Sequence, residues 1–123
     1  MVKLVYCVRR LPHLSREEFQ RYWRETHGPL VRSHAKTLQI RRYVQVHTLE
    51  NPINDVLRES RGTLEPYDGV AELWWDSAED MAAAHLTPEG LWAAQELLDD
   101  ERRFADLERS ALWVAEEHVV VDV

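Results

Sequence analysis

The chain has a single cysteine, Cys7, in 123 residues. That excludes an internal disulfide and any cysteine-rich zinc site. No apolar run approaches the roughly 18 residues that a membrane-crossing helix needs. The opening MVKLVYCVRR is too short in apolar residues for a secretory signal and has no small-residue cleavage site, so it reads as a strand. Nothing calls for an oxidising compartment, and cytoplasmic localisation is the expectation. Positive charge is in short supply: 15 Lys and Arg stand against 22 Asp and Glu, a net charge of −7. Nucleic acid would call for a basic stripe, whereas adjacent cations such as Arg41-Arg42 and Arg102-Arg103 sit near acids or on strand faces. No nucleic-acid partner is expected. There is no G-x-G-x-x-G or P-loop for a nucleotide, no H-E-x-x-H or tight His/Asp cluster for a metal, and no G-x-S-x-G. Neither a cofactor nor a metal is expected. Cys7 has no base near it in sequence and reads as a small buried hydrophobe.

What is present begins with a capped amphipathic helix. Ser15 and Glu18 form a capping box just before an apolar run. Phe19, Trp23, His27, Leu30 and His34 then recur at spacings of three and four, which keeps them on one helix face. Gly28-Pro29 interrupts the run, because the residue before a proline is pushed out of the α region. The helix is expected to end at His27, or to restart with Pro29 in a new first turn. Either way His27 stands at a helix C-terminus and leans toward the core. The macrodipole there favours a protonated imidazole and burial opposes it, a balance near neutrality that suits proton transfer. The competing reading is a histidine that only caps carbonyls.

Val2–Val8 alternates with apolar residues on both faces. Gln39–Leu49 is strand-like, with Ile40, Arg42, Val44 and Val46 on one side and Arg41, Tyr43, Gln45 and His47 on the other. Glu50–Pro66 is a long polar connection without a clear period. Asp68–Trp75 is a third strand. Ala78–Leu86 is a short helix, and Thr87-Pro88 opens another, with Leu91, Gln95 and Leu98 as its inward stripe and Ala94 beside them. The charges from Asp99 to Arg109 read as a solvated helix end, with Asp99 and Arg103 paired four apart. Ala111–Val121 is the last strand. Trp23 and Trp92 read first as core residues of their helix faces.

The order βαββααβ predicts a single α+β domain over residues 1–123: a ferredoxin-like, four-stranded antiparallel sheet with helices on one face. Such a sheet standing alone would have one polar face. Here Trp74 and Trp75, and likewise Leu112 and Trp113, point to opposite faces, and strand one is apolar on both. A second copy of the sheet is the expected cover, giving a homodimer that closes an α/β barrel across a two-fold axis.

Tyr43 and His47 lie on one strand face, about 13 Å apart along the strand. Leu73 and Trp75 share that face, and His85 comes from the second helical region. If this face meets the helices, these residues join Trp23 and His27 around one small-molecule pocket. His27 would then abstract a carbon-bound proton next to a carbonyl, and Tyr43 would donate to the developing oxyanion. That chemistry serves isomerisation, dehydration, cyclisation or decarboxylation without a cofactor. The competing readings take Tyr43 as a core aromatic and His47 and His85 as ordinary half-buried histidines.

The run F-x-x-Y-W-x-x-x-H-G-P-L from Phe19 to Leu30, with the later GVAELWWDSAEDM and DDERRF, resembles the EthD-type family of dimeric α/β-barrel proteins. The resemblance implies the same dimeric barrel and a role in metabolism of a small oxygenated hydrophobic compound. It also implies His27 and Tyr43 as the positions matching the superfamily's acid–base residues. The Glu50–Pro66 stretch has no histidine where methylmuconolactone-isomerase-like relatives carry one, so a two-histidine mechanism would need His47 in its place. Two alternatives accompany this reading. One is a non-catalytic metabolite-binding or accessory protein of an oxidative degradation pathway. The other is a haem-binding protein or cofactor-free monooxygenase, with His27 or His85 as the axial candidate for haem.

Overall fold

Strands β1 (Val2–Val8), β2 (Arg42–His47), β3 (Gly69–Trp75) and β4 (Ala111–Ala115) form one antiparallel sheet in the order β2-β3-β1-β4 in a computed structural model describing residues 1–123. Helices α1 (Arg16–Tyr22), α2 (Gly28–His34), α3 (Ile53–Arg61), α4 (Ala78–Ala84) and α5 (Pro88–Glu101) complete the chain. This is the expected α+β, ferredoxin-like plan, with α3 added between β2 and β3. No helix is long and apolar enough to cross a membrane.

The register decides which face holds the core. Leu73 pairs with both Leu4 and Tyr43, and Ala71 pairs with Tyr6 and Gln45. Alternate residues share a face, so Leu4, Tyr6, Val8, Tyr43, Gln45, His47, Ala71, Leu73 and Trp75 look toward the helices. There they meet Phe19, Trp23, Val31, Ala93, Leu97 and Phe104. The opposite face carries Val5, Val44, Val70, Trp74 and Trp113 around Lys3, Arg42 and Glu72. On it, Lys3 Nζ bonds Glu72 at 3.1 Å, and the Arg42 guanidinium lies 4.8 Å from the Trp74 ring. Trp75 is 2% exposed and Trp113 on the bare face is 49% exposed.

The capping box forms as expected: Glu18 N donates to Ser15 Oγ at 3.0 Å, and Ser15 N to Glu18 Oε1 at 2.9 Å. The helix does not end at His27; α2 follows with Pro29 in its first turn, the second of the two expectations, although the chain never leaves the helical region. Trp23–His27 is a π-helical turn in which Gly28 N–H donates to the Trp23 carbonyl, and Gly28 keeps helical angles (φ −54°, ψ −52°). The wider turn makes room for the pyrrolidine ring, which would clash in a regular α-helix. It also corrects the phase. Steps of four residues overrun an α-helical turn by about 40° each, and the wider turn returns part of that. Phe19, Trp23, His27 and Val31 therefore stay on one buried face. His27 is thus mid-helix, and the helix-end macrodipole argument does not apply to it. The stop comes later, at Gln39, which takes φ 59° while Ile40 N–H returns to the Ala35 carbonyl at 2.8 Å. That is a left-handed C-cap without the usual glycine.

Four further expectations are corrected. Glu50–Pro66 contains α3, ended by Gly62 at φ 64°. The inward stripe of α5 is Gly90, Ala93, Leu97 and Asp100, while Leu91 and Gln95 are exposed, Leu98 is only half-buried, and Trp92 is 65% exposed. The cause is close approach: a Cβ on Gly90 would lie 1.8 Å from the Ala84 carbonyl oxygen, so the helix docks by its small residues. The charge run is no solvated helix end, since Asp100 is 4% exposed. Asp99 pairs with Arg102 and Asp100 with Arg103, rather than Asp99 with Arg103. Strand β4 also ends earlier than expected, at Ala115.

Candidate active site

Between the sheet and the helices lies a cavity of about 150 Å³. Its wall is apolar, built from Leu4, Val31, Leu38, Leu73, Trp75, Leu97 and Phe104, among others. Five side chains with polar groups interrupt it around the space: Tyr6, His27, Tyr43, His85 and Glu101. Of the residues expected from sequence, Trp23, His27, Tyr43, Leu73, Trp75 and His85 all line this cavity. His47 does not. It lies flat against the far side of Trp23, with ring centroids 4.7 Å apart, and its Nε2 meets Gln45 Oε1 at 2.8 Å. The Gln45 amide nitrogen donates to the Trp23 carbonyl at 2.8 Å, which fixes its oxygen as the acceptor for His47. Trp23 therefore stands between His47 and the cavity. Trp23 reaches this position only because β3 has a glycine beneath it: a Cβ on Gly69 would lie 2.4 Å from the indole.

His27 is 5% exposed. Its Nδ1 lies 2.8 Å from Asp100 Oδ2, while Asp100 Oδ1 accepts from the Tyr22 hydroxyl at 2.6 Å and faces Arg103 Nη1 at 3.4 Å. A carboxylate surrounded by donors accepts, so the proton of the neutral ring is on Nδ1. Nε2 has no protein partner, yet every fully enclosed side-chain nitrogen and oxygen in the molecule is bonded. Nε2 is therefore not fully enclosed, and His27 is one of the residues that line the cavity. Burial holds the His27 pKa below its ordinary value, and the Asp100 carboxylate pulls part of the way back. The ring is a neutral base at pH 7, with a fixed tautomer and a carboxylate ready to stabilise its protonated form.

Glu101 follows Asp100 in the chain but faces the cavity. Burial pushes its carboxyl up to about 7, against the opposing effect of a 2.9 Å hydrogen bond from the Tyr6 hydroxyl. In its protonated form that carboxyl can donate as well as accept. Tyr43 is pushed up to about 12, chiefly by burial, and its hydroxyl accepts from Gln45 Nε2 at 2.8 Å, leaving its own proton free to donate. His85 Nδ1 is engaged by the Met81 carbonyl at 2.7 Å, and its ring sits 6.1 Å from that of Trp75. No three His, Cys, Asp or Glu side chains converge as a metal-binding set.

Sequence reasoning missed Asp100, Glu101 and Tyr6. The signal for Asp100 was present: it continues the Gly90, Ala93, Leu97 stripe at the helical spacing. Choosing the bulkier Leu91 stripe hid it.

Residues 11–108 match the EthD domain. The chain belongs to the EthD family. Among solved structures, it is similar to an ethyl tert-butyl ether D (EthD) family protein from Bacillus halodurans C-125, at 23% identity over 96% of this chain and 99% of that one, with a TM-score of 0.63. A dimeric protein of ferredoxin-like fold from Bacteroides fragilis NCTC 9343 matches at 14% identity, 94% and 95% coverage, and a TM-score of 0.58. A cofactor-independent oxygenase from Streptomyces nogalater matches at 13% identity, 98% and 95% coverage, and a TM-score of 0.52. The EthD frame and the shared fold are consistent with a protein of small-molecule metabolism.

Proposed function

We propose that this EthD-family protein carries out cofactor-free acid–base chemistry on a small, oxygenated, largely apolar compound in the cytoplasm. The observation that carries the reading is the buried His27–Asp100 pair in the cavity wall, with the ring's Nε2 left without a protein partner. In the proposed step Nε2 removes a proton from carbon next to a carbonyl. The C–H electron pair moves into the carbon framework and forms an enolate, whose oxygen accepts from Tyr43 or from protonated Glu101. Asp100 stabilises the imidazolium. Return of the proton to a different atom completes an isomerisation; expulsion of a β-hydroxyl, protonated as it leaves, completes a dehydration. A cavity of about 150 Å³ is on the scale that takes a benzene-sized guest. It is below the roughly 300–1,000 Å³ of drug-sized ligand pockets, which weighs against haem.

The same deprotonation would begin cofactor-independent oxygenation, the activity described for the Streptomyces nogalater protein, with molecular oxygen as the co-reactant. We also propose the homodimer. Its support is the apolar face bearing Val5, Val44, Trp74 and Trp113, which the helices leave bare, together with the dimeric state described for the Bacteroides fragilis protein.

The test is a panel of single-ring and small bicyclic lactones, phenols and β-hydroxy ketones, followed for turnover and for oxygen uptake. His27→Ala is expected to abolish turnover with the circular dichroism spectrum and dimer retained. Turnover that survives His27→Ala removes His27 from the role of base. Binding without turnover across the panel, in the wild-type protein, would favour the accessory, metabolite-holding alternative.

A further inference from the structure

On an acidic chain, three arginines, Arg24, Arg32 and Arg41, line one surface groove. The groove, of about 400 Å³, runs between α2, the turn that follows it and the edge strand β2, and its lining also includes Arg42 but no Asp or Glu. The chain as a whole carries a net charge of −7. Three other groove residues, Val31, Ile40 and Tyr43, also line the cavity, so the groove adjoins it along a shared wall. The arginines are poorly neutralised. Arg24 has only Glu25 at 3.8 Å, Arg41 only Asp76 at 3.6 Å, and Arg32 no ion pair. Arg42 is turned onto the Trp74 ring. Like charges held together without counter-charges repel, and an anion set among them relieves that repulsion. A guanidinium presents a planar pair of donors that matches a carboxylate.

We propose that this groove binds the anionic end of the ligand, so that the substrate is an apolar compound bearing a carboxylate. The apolar body enters the cavity beside His27, and the carboxylate stays at the mouth on Arg24, Arg32 and Arg41. The basic opening on an acidic surface also steers such anions inward. This assignment rests on the acid–base reading for the location of the chemistry, and it adds the substrate class.

The experiment compares trans-cinnamate with trans-cinnamamide, two probes of nearly the same shape that differ in charge. Binding is followed by calorimetry and by quenching of the cavity tryptophans, at low and at physiological ionic strength. At low salt the acid is expected to bind about tenfold more tightly than the amide, and salt narrows the gap. In the triple variant R24Q/R32Q/R41Q the acid falls to the affinity of the amide while the amide is unchanged, which also reports an intact cavity. Should the triple variant fold poorly, Arg32→Gln alone, with no ion pair to lose, is expected to reduce the preference about threefold. Equal affinity for acid and amide, binding of neither, or a preference that survives the replacements overturns the groove assignment. Amide binding without preference leaves the His27–Asp100 reading standing, whereas turnover that persists in His27→Ala defeats that reading without touching the groove.

Discussion

Replacing Glu101 by glutamine tests the cavity's electrostatics without knowledge of a substrate. Gln keeps the shape and keeps an oxygen to accept from Tyr6. In the folded protein burial raises the carboxyl from 4.5 to about 7. The folded state therefore binds more protons than the unfolded chain between those values, and stability falls as pH rises through that window. At about 1.4 kcal/mol per pH unit, the full span corresponds to roughly 3 kcal/mol. Wild type bears this cost above pH 7 and is free of it below pH 4.5, whereas Glu101→Gln has no group to ionise. His27 acts in the opposite sense. Its folded pKa lies below the ordinary value, so stability is lost as pH falls from 6.5 through that pKa. Both proteins share that contribution, and it cancels in their difference. Urea unfolding at pH 5, 6, 7 and 8 should show the variant gaining on wild type by about 3 kcal/mol between pH 4.5 and 8, on the order of 10 °C in Tm for a chain this size. A difference that stays constant across this range would refute the argument, because it would mean that Glu101 is ionised in the folded state as readily as in water.

Asp100→Asn replaces an acceptor with a group that can donate to Nδ1. Nitrogen NMR should then show the His27 proton moved to Nε2 and its pKa lowered further, since the charge that opposed burial is gone; turnover should fall with it. Gly69→Ala drives a methyl to within 2.4 Å of Trp23, and thermal unfolding should show a loss of about 2–3 kcal/mol. Trp113→Glu places a charge on the bare sheet face, and light scattering should report a monomer; a persistent dimer would place the interface elsewhere. Ser15→Ala should cost about 1 kcal/mol through the lost cap.

The strands were legible because alternation and β-branched residues agree, and the pairing of Trp74 with Trp75 foretold two apolar faces. The cap at Ser15 was legible because both of its partners are local. Gly28-Pro29 was misread because the rule for residues before proline does not register a π turn, whose only trace is the repeated step of four from Phe19 to Val31. Helix α3 was hidden by Asn51-Pro52 and Gly62, although Ile53, Val56 and Leu57 hold helical spacing on an exposed face. In α5 the helix docks by glycine and alanine, and a search for bulky apolar residues selects the wrong side. His27 and Tyr43 could be named as cavity residues from strand and helix faces alone. Asp100 was readable only through the small-residue stripe that leads to it, and Glu101 was not, because an acid beside another acid looks solvated until packing turns it inward.

The π turn uncouples this helix's buried face from its residue count. Wound as a regular α-helix at its full length, the stretch would carry Val31 about 100° further round from Phe19, and only one flank could stay buried. The wide turn absorbs that extra residue in place. A deletion among Arg24, Glu25 and Thr26 that let the stretch relax to a regular α-helix would therefore leave Phe19 and Val31 on the same face. Between Trp23 and Pro29, a chain of this fold can gain or lose one residue without unseating what lies on either side.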